Sequence, residues 1–447
     1  MPTLAIHNGR VIDPALGRDG IADVVIVDGR ISRVGPNEGD MVVEAERIDA
    51  TGLIVSPGFV DLHTHLREPG FEYKETIATG TLAAARGGYT TVCAMPNTSP
   101  ALDSRSAIES VLREAESTGR VRVLPIGCIT VGRKGQELAP QGELVEAGAV
   151  AISDDGDAVA DPSLMRHALA YSTRFGLPVA QHCEDPSLVR DGQMHEGWVA
   201  TRLGLRGRPA SAEETMVARD IALAELSGAH LHICHISTAG SVALVAAARA
   251  RGARVTAEVT PHHLTLTHEE VAFAEDYRSI RYNTSAKVNP PLREEADLVA
   301  LGEALRDGII DAIATDHAPH ATSDKEIEFN LASPGLTMLE TAFGLSMRLV
   351  HDGVLTLPVL IERMTAGPVR AWRLDERPGL AGLGSLAPGA PADVVILDPN
   401  AEWPVEPERF ASKGKNTPLG GRTLRGRVLA TVYGGQLVYE TERVGAY

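Results

Sequence analysis

Apolar and polar positions alternate with a period of two at both ends of the chain, then give way to apolar runs separated by Ala- and Leu-rich stretches. Near the start, LAIHNGRVID sets Asn8-Gly9 between apolar runs, and ADVVIVDGRISRVG does the same with Asp28-Gly29, the composition of two-residue hairpin turns. From about Ala387 the style returns, with ADVVILD at 392–398 and GRVLATVYGGQLVYE turning at Gly434-Gly435. A lone hairpin is marginal in water, so the two ends are expected to pair into one small discontinuous β domain, residues 1–52 plus 387–447. The likeness of 22–28 to 392–398 then marks two strands of one sheet, not a functional repeat.

Residues 53–386 read as repeated βα units. The strand-like runs are LIVSPGFVDLHTH from Leu53, YTTVCAMPN from Tyr89, VRVLPIGCIT from Val121, AVAISDDG from Ala149, PVAQHCE from Pro178, HLHICHIS from His230, RVTAEVTPHH from Arg254 and IDAIATDHAPH from Ile310. Helical stretches such as TIATGTLAAARGG, DPSLMRHALAYSTRFG and GSVALVAAARARG lie between them. Eight such units predict an α/β fold of the (β/α)8 TIM-barrel type, flanked by the small β domain. A polar residue closes nearly every run, at the strand ends where such barrels keep their active sites.

Composition narrows the class. With 447 residues, 44% hydrophobic and 23% charged, the chain is an ordinary globular protein with a large core, not a disordered or fibrous one. A net charge of −17 opposes phosphate backbones and anionic membrane surfaces, so neither a nucleic acid nor a membrane is an expected partner. Cys93, Cys128, Cys183 and Cys234 each sit in an apolar run without a CxxC pair, which argues against a disulfide framework or zinc ribbon. The opening residues lack a secretory pattern and no run of about 20 uncharged apolar residues occurs, so a cytoplasmic location is expected.

His63-Thr64-His65 closes the first run, and residues two apart on a strand face the same way, so both imidazoles can reach one ion. Alone, the pair is weak, because histidines pair by chance on surfaces and in cores. The later runs change the balance: the fourth ends in Asp154-Asp155, the fifth in His182, the sixth in His235 and the eighth in Asp316. Four imidazoles with a bridging and a terminal carboxylate suit two neighbouring divalent ions. Nitrogen and oxygen donors without thiolate favour zinc, and manganese or cobalt would fit the same set. Such ions lower the pKa of bound water from about 16 to about 7, which makes a bridging hydroxide available and the expected reaction hydrolytic. Asp316 would take the proton and return it to the leaving nitrogen.

The motifs GFVDLHTHLREPG (58–70), MPNT (95–98), SDDG (153–156), QHCED (181–185), HICHIST (232–238), EVTPHHL (258–264), KVNPPLR (287–293) and ATDHAPH (314–320) resemble the amidohydrolase superfamily, and more closely its class I dihydroorotase family. The likeness extends through SKGKNTP from Ser412 and so covers essentially the whole chain. It implies reversible cyclisation of N-carbamoyl-L-aspartate to L-dihydroorotate in de novo pyrimidine biosynthesis, on two Zn2+ ions bridged by Asp155 and a hydroxide. By resemblance, His63 and His65 hold one metal, His182 and His235 the other, and Asp316 binds the first while serving as catalytic acid/base. Asp155 rather than Asp154 is chosen by the family's spacing of 27 residues to the next ligand, His182. Arg67, Asn97, Asn289 and His320 match substrate-contacting positions, with Arg67, Asn97 and His320 at the carboxylate end. Pro334 and Gly335 match a loop whose backbone touches the ring. The plain alternatives are a surface ion pair for Arg67 with Glu68 and a turn cap for Asn97.

Family members are commonly homodimers, and some associate with aspartate transcarbamoylase. Hydantoinase, dihydropyrimidinase and allantoinase share the barrel but generally bridge their metals with a carboxylated lysine, where this chain has Ser153-Asp154-Asp155-Gly156. A catalytically dead scaffold would have lost ligands that are all present here. His262-His263, ending the seventh run, is expected to be structural, as are His167, His195, His230, His268 and His351. His232 and His317 are expected to face away from their ligand neighbours, and Asp61 either orients a ligand or is a buried structural carboxylate.

Overall fold

The computed structural model describes residues 3–39, 45–273 and 280–441. Among them, both chain ends build one sheet, in which Ile54–Pro57 pairs in parallel with Arg10–Val11 on one side and antiparallel with Val394–Leu397 on the other. The strands Leu4–Asp13, Arg18–Val27 and Arg30–Gly35 extend it one way, and Val394–Pro404, Thr423–Tyr433 and Gln436–Glu440 the other. Ala22–Val27 and the Ala392–Asp398 stretch thus serve the same sheet, and their apolar faces share one core with Ile6, Val55 and Val432.

Two expectations change here. Asn8-Gly9 is not a hairpin turn but a bulge inside the strand Leu4–Asp13, where the register steps from Ile6 opposite Val24 to Gly9 opposite Ala22. The pair supplies what a bulge needs, since Asn8 adopts φ 60° and a Cβ on Gly9 would lie 2.4 Å from Val55 Cγ2. The turn falls instead at 14–17, whereas Asp28-Gly29 and Gly434-Gly435 do turn between paired strands. The run LIVSPGFVDLHTH, expected as one barrel strand, is two: Ile54–Pro57 belongs to the terminal sheet and Phe59–Thr64 to the barrel. Gly58 is the junction, close enough to the next strand that a Cβ would meet Thr90 at 2.3 Å.

Eight strands of the described residues follow one another in a parallel array: Phe59–Thr64, Tyr89–Ala94, Arg122–Gly127, Ala151–Ile152, Pro178–Gln181, His230–Ile233, Val255–Val259 and Ala312–Ile313. A parallel bridge between Thr64 and His317, with His65 N donating to His317 O at 2.9 Å, brings the last strand back to the first. This is the TIM-type barrel expected. Helices Ile77–Arg86, Pro162–Ser172 and Ala239–Ala250 occupy the three stretches read as helical, each starting at a side-chain cap from Thr76, Asp161 or Thr238. Among the described residues no helix is long and apolar enough to cross a membrane, and all four cysteines are buried and unpaired.

Candidate active site

The residues that close the barrel strands converge on one opening of about 220 Å3. Ten of the twelve site residues expected from the sequence line it: His65, Arg67, Asn97, Asp155, His182, Asn289, Asp316, His320, Pro334 and Gly335. The other two, His63 and His235, are buried beneath it against Asp155.

Asp155 stands at the centre with its two oxygens facing opposite partners. Its Oδ2 lies 3.3 Å from His63 Nε2 and 3.4 Å from His65 Nε2, while its Oδ1 lies 3.3 Å from His235 Nε2 and 3.5 Å from His182 Nδ1. Asp316 Oδ1 faces the first pair alone, at 3.0 Å from His65 Nε2 and 3.5 Å from His63 Nε2. Asp154 turns the other way and accepts from the backbone of Ile129 and Thr130 and from the Thr130 hydroxyl, so it anchors a loop.

Whether these groups suit metal ions can be read from where their protons go. His63 gives its Nδ1–H to Glu258 Oε1 at 2.7 Å and His65 gives its own to Asn97 Oδ1 at 2.9 Å, which leaves both Nε2 lone pairs pointing into the site. His63 Nε2 is buried with no hydrogen-bond donor, a costly arrangement unless a cation meets it. His63, His65 and Asp316 bring one ligand atom each within 4.8 Å of one another, and so do His63, Asp155 and His235. The donor set is nitrogen and oxygen, as divalent metals of the zinc type require. Burial opposes charge on both carboxylates, and positive charge among the imidazoles, His63 foremost, holds Asp155 and Asp316 well below the usual carboxylate range; a bound cation would supply that charge where the imidazoles are neutral.

The opposite side of the opening is cationic. Arg67 is not paired with Glu68, which instead accepts from Ile77 N at the start of a helix. Its guanidinium reaches Pro319 O at 3.3 Å and stands beside His320, and burial draws it down to about 10, an effect that Asp316 and Asp155 oppose. Burial, with Arg67 and Lys74 close by, pushes His320 down to about 2, so its ring is neutral. Its Nε2–H donates to Pro334 O at 2.9 Å, and Nδ1 accepts from Lys74 Nζ at 3.3 Å. Asn97 does not cap a turn with its side chain but serves His65. Asn289 sits by the second histidine pair, its amide held by Arg208 Nη1 at 2.7 Å and by Glu184 at 3.2 Å. Arg67, His235 and Asp316 all adopt positive φ, of 61°, 31° and 46°, a concentration of strained backbone at one place.

The family model described as Dihydro-orotase-like matches residues 52–241. Dihydroorotase of Anaeromyxobacter dehalogenans (strain 2CP-1) is 51% identical over 440 residues, 98% of each chain, and that of Pelotomaculum thermopropionicum is 52% identical over 438, again 98% of each. This chain belongs to the dihydroorotase family. Among solved structures, the L-hydantoinase (dihydropyrimidinase) of Arthrobacter aurescens superposes with a TM-score of 0.86 at 23% identity, covering 98% of this chain and 96% of that one. The dihydropyrimidinase of Brevibacillus agri gives 0.83 at 24%, with coverage of 98% and 95%. These two establish a shared fold.

Within this family member, sequence reasoning passed over two carboxylates. Glu258, fully buried, accepts from both His63 and His232, the latter at 3.1 Å; Glu184 ties His182, Arg208 and Asn289 together. The available signal was an acidic residue inside the apolar run RVTAEV, which no core position tolerates without partners. His232 faces Glu258 and Thr256, and His317 faces Glu75 and Met338 N, both away from the opening. His263 is held by Thr260 and Pro290 O in a short helix, Pro261–Thr265, that follows the seventh strand. Asp61 grips Thr315 and the backbone of His63, joining the first strand to the eighth rather than orienting a ring.

Proposed function

We propose that this chain is a zinc-dependent dihydroorotase that interconverts N-carbamoyl-L-aspartate and L-dihydroorotate in pyrimidine biosynthesis. The observation that carries the reading is the pairing, across one small opening, of a divalent-metal ligand set with a buried guanidinium. A ring amide that also bears a carboxylate satisfies both ends at once, whereas an uncharged ring leaves Arg67 without a counter-ion.

In this reading His63, His65 and Asp316 would hold one zinc and His182 and His235 a second, with Asp155 a candidate ligand to both. Bound zinc supplies Lewis acidity toward the ring carbonyl and makes water acidic enough to attack near neutral pH. Arg67 binds the substrate carboxylate, with Asn97 and neutral His320, whose Nε2–H is held by Pro334 O, bordering that end, and so fixes which face of the ring amide meets Asp155 and Asp316. Asn289 and the 334–335 backbone border the rest of the ring. In ring opening, Asp316 takes the proton of the attacking water as the carbon–oxygen bond forms, then delivers it to the ring nitrogen as the carbon–nitrogen bond breaks. Ring closure runs the same path backwards, with Asp316 removing the proton from the carbamoyl nitrogen.

The test is ring opening of L-dihydroorotate by the purified, zinc-loaded protein, run beside dihydrouracil, hydantoin and allantoin, before and after chelation. Activity on dihydroorotate alone, lost on chelation and restored by zinc, is expected. Activity confined to the uncharged rings would keep the barrel chemistry and overturn the carboxylate-binding role of Arg67.

A further inference from the structure

The stretch SKGKNTP from Ser412 lies between two strands of the terminal sheet, Val394–Pro404 and Thr423–Tyr433, yet it reaches the barrel opening. Asn416 is buried there, and three of its four amide positions are used. Oδ1 accepts from His320 N at 2.9 Å, while Nδ2 donates to Ala318 O at 3.1 Å and to Gly335 O at 3.0 Å. Its own carbonyl accepts from Thr337 N at 2.8 Å. One side chain therefore spans the two segments that wall the opening, 318–320 and 333–335.

Its surroundings hold Asn416 in that position. Ser412 Oγ donates to the buried Glu75 at 2.5 Å, and Lys415 Nζ donates to Phe410 O at 2.6 Å and Ser412 O at 2.8 Å, so the segment is tied down on both sides of Gly414. Gly414 packs so closely that a Cβ would lie 2.6 Å from Pro319 Cβ and 2.9 Å from His320 N. On the far wall, buried Lys325 Nζ donates to Ser333 O at 2.7 Å and to the same Gly335 O at 2.9 Å. The opening's cationic end depends on these walls. Arg67 Nε leans on Pro319 O, and His320 Nε2 bonds Pro334 O.

We propose that Asn416 is a positioning residue for the anion-binding end of the site, through which the terminal β domain sets the spacing of Arg67 and His320 from the 334–335 wall. This deepens the carboxylate-recognition reading above and rests on it. Asn416 itself does not line the opening. Its effect passes through the backbone of residues 318–320 and 335, so it alters binding of the carboxylate more than proton transfer at Asp316.

The experiment compares the zinc-loaded wild-type protein with Asn416→Asp and Asn416→Ala, measuring KM and kcat for L-dihydroorotate, the inhibition constant of orotate, and bound zinc. The aspartate keeps the shape and the acceptor toward His320 N but loses both donors and sets its second oxygen against two carbonyls. Displacement of binding groups predicts that KM and the orotate constant rise about tenfold or more, with kcat within about threefold and zinc content unchanged. KM and the inhibition constant do not depend on how much of the sample is active, so a variant that merely folds less well lowers kcat and leaves them alone; that result, or unchanged constants throughout, overturns the positioning role. If both variants fail to fold, Gly414→Ala keeps the amide but presses a methyl on Pro319 Cβ and into the bond between Asn416 Oδ1 and His320 N, each of which would lie 2.9 Å from the new carbon, and the same rise in KM is expected; its absence overturns the proposal. A wild-type protein inert toward dihydroorotate would instead overturn the underlying reading of the substrate.

Discussion

Replacing Glu258 by Gln tests how the metal ligands are held. The carboxylate is fully buried and accepts two ring protons, from His63 Nδ1 at 2.7 Å and from His232 Nε2 at 3.1 Å, and these bonds draw it down to about 2 against the cost of burial. Glutamine offers one acceptor and one donor in the same space. With its oxygen toward His63, the amide group meets His232 Nε2, which must move its proton to Nδ1, where Thr256 Oγ1 waits at 2.8 Å. Turned around, it forces His63 to carry its proton on Nε2, the nitrogen aimed at Asp155 and Asp316. The first arrangement keeps a bond to His63 without the charge that strengthens it; a charge-assisted bond is worth about 1.5–3 kcal/mol and a neutral one about 0.5–1.5, so the loss is about 1–1.5 kcal/mol. At about 1.4 kcal/mol per tenfold, divalent-metal affinity is expected to fall about tenfold, the low end of the range of about 10- to 100-fold typical of such supporting carboxylates. Competition against a chromophoric zinc chelator measures it directly, with thermal melting of the zinc-loaded protein as the control for folding. Zinc affinity within about twofold of wild type, in a folded variant, would refute the idea that Glu258 sets the His63 tautomer.

Asp316→Ala is expected to abolish turnover of dihydroorotate, because it removes the proton carrier and one ligand together; retention of more than about a tenth of kcat would end the assignment. Arg67→Lys exchanges a fork for a point charge, so KM for dihydroorotate should rise about tenfold with a smaller change in kcat, and an unchanged KM removes Arg67 from the substrate site. Asp220 gives a pH prediction away from the site. Burial raises its carboxyl to about 6 although the Arg219 ion pair at 2.8 Å opposes this, and its Oδ2 has no partner. An unfolded aspartate loses its proton near about 3.9, so from there to about pH 6 the folded state binds more protons and stability falls as pH rises, by roughly 3 kcal/mol in all. Asp220→Asn should flatten that decline and melt higher than wild type at pH 8; melting curves with the same pH dependence as wild type would show that Asp220 does not cause it.

The pattern of the chain determined a good deal of this. Eight apolar runs, nearly all ending in a polar residue, fit a parallel barrel better than an open sheet, because parallel strands are buried on both faces; closure itself is seen only in the bridge between Thr64 and His317. The HxH spacing follows from strand alternation, so His63 and His65 were legible as a pair, and the remaining strand ends supplied His182, His235, Asp316 and the Asp154-Asp155 choice. Local chemistry misled where one signal serves two structures: Asn8-Gly9 relieves positive φ equally well in a hairpin turn or in a bulge, and only the partner strand decides between them. In the same way, Pro57-Gly58 in LIVSPGFV signals a break, but that the two halves join different sheets is decided only by their partner strands and the close approach of Gly58 to Thr90.

Other features depended on contacts between distant segments. That Asp155 rather than Asp154 faces the histidines is a matter of which oxygen meets which ring, and the two carboxylates are adjacent in sequence but turn opposite ways. Glu258 lies 195 residues from His63, and Asn416 lies 96 from His320 and 81 from Gly335. A hydrogen bond is short and directional while chain separation sets no limit on it, so such partners carry no periodic signature; only closure of the barrel and docking of the terminal domain bring them within 3 Å.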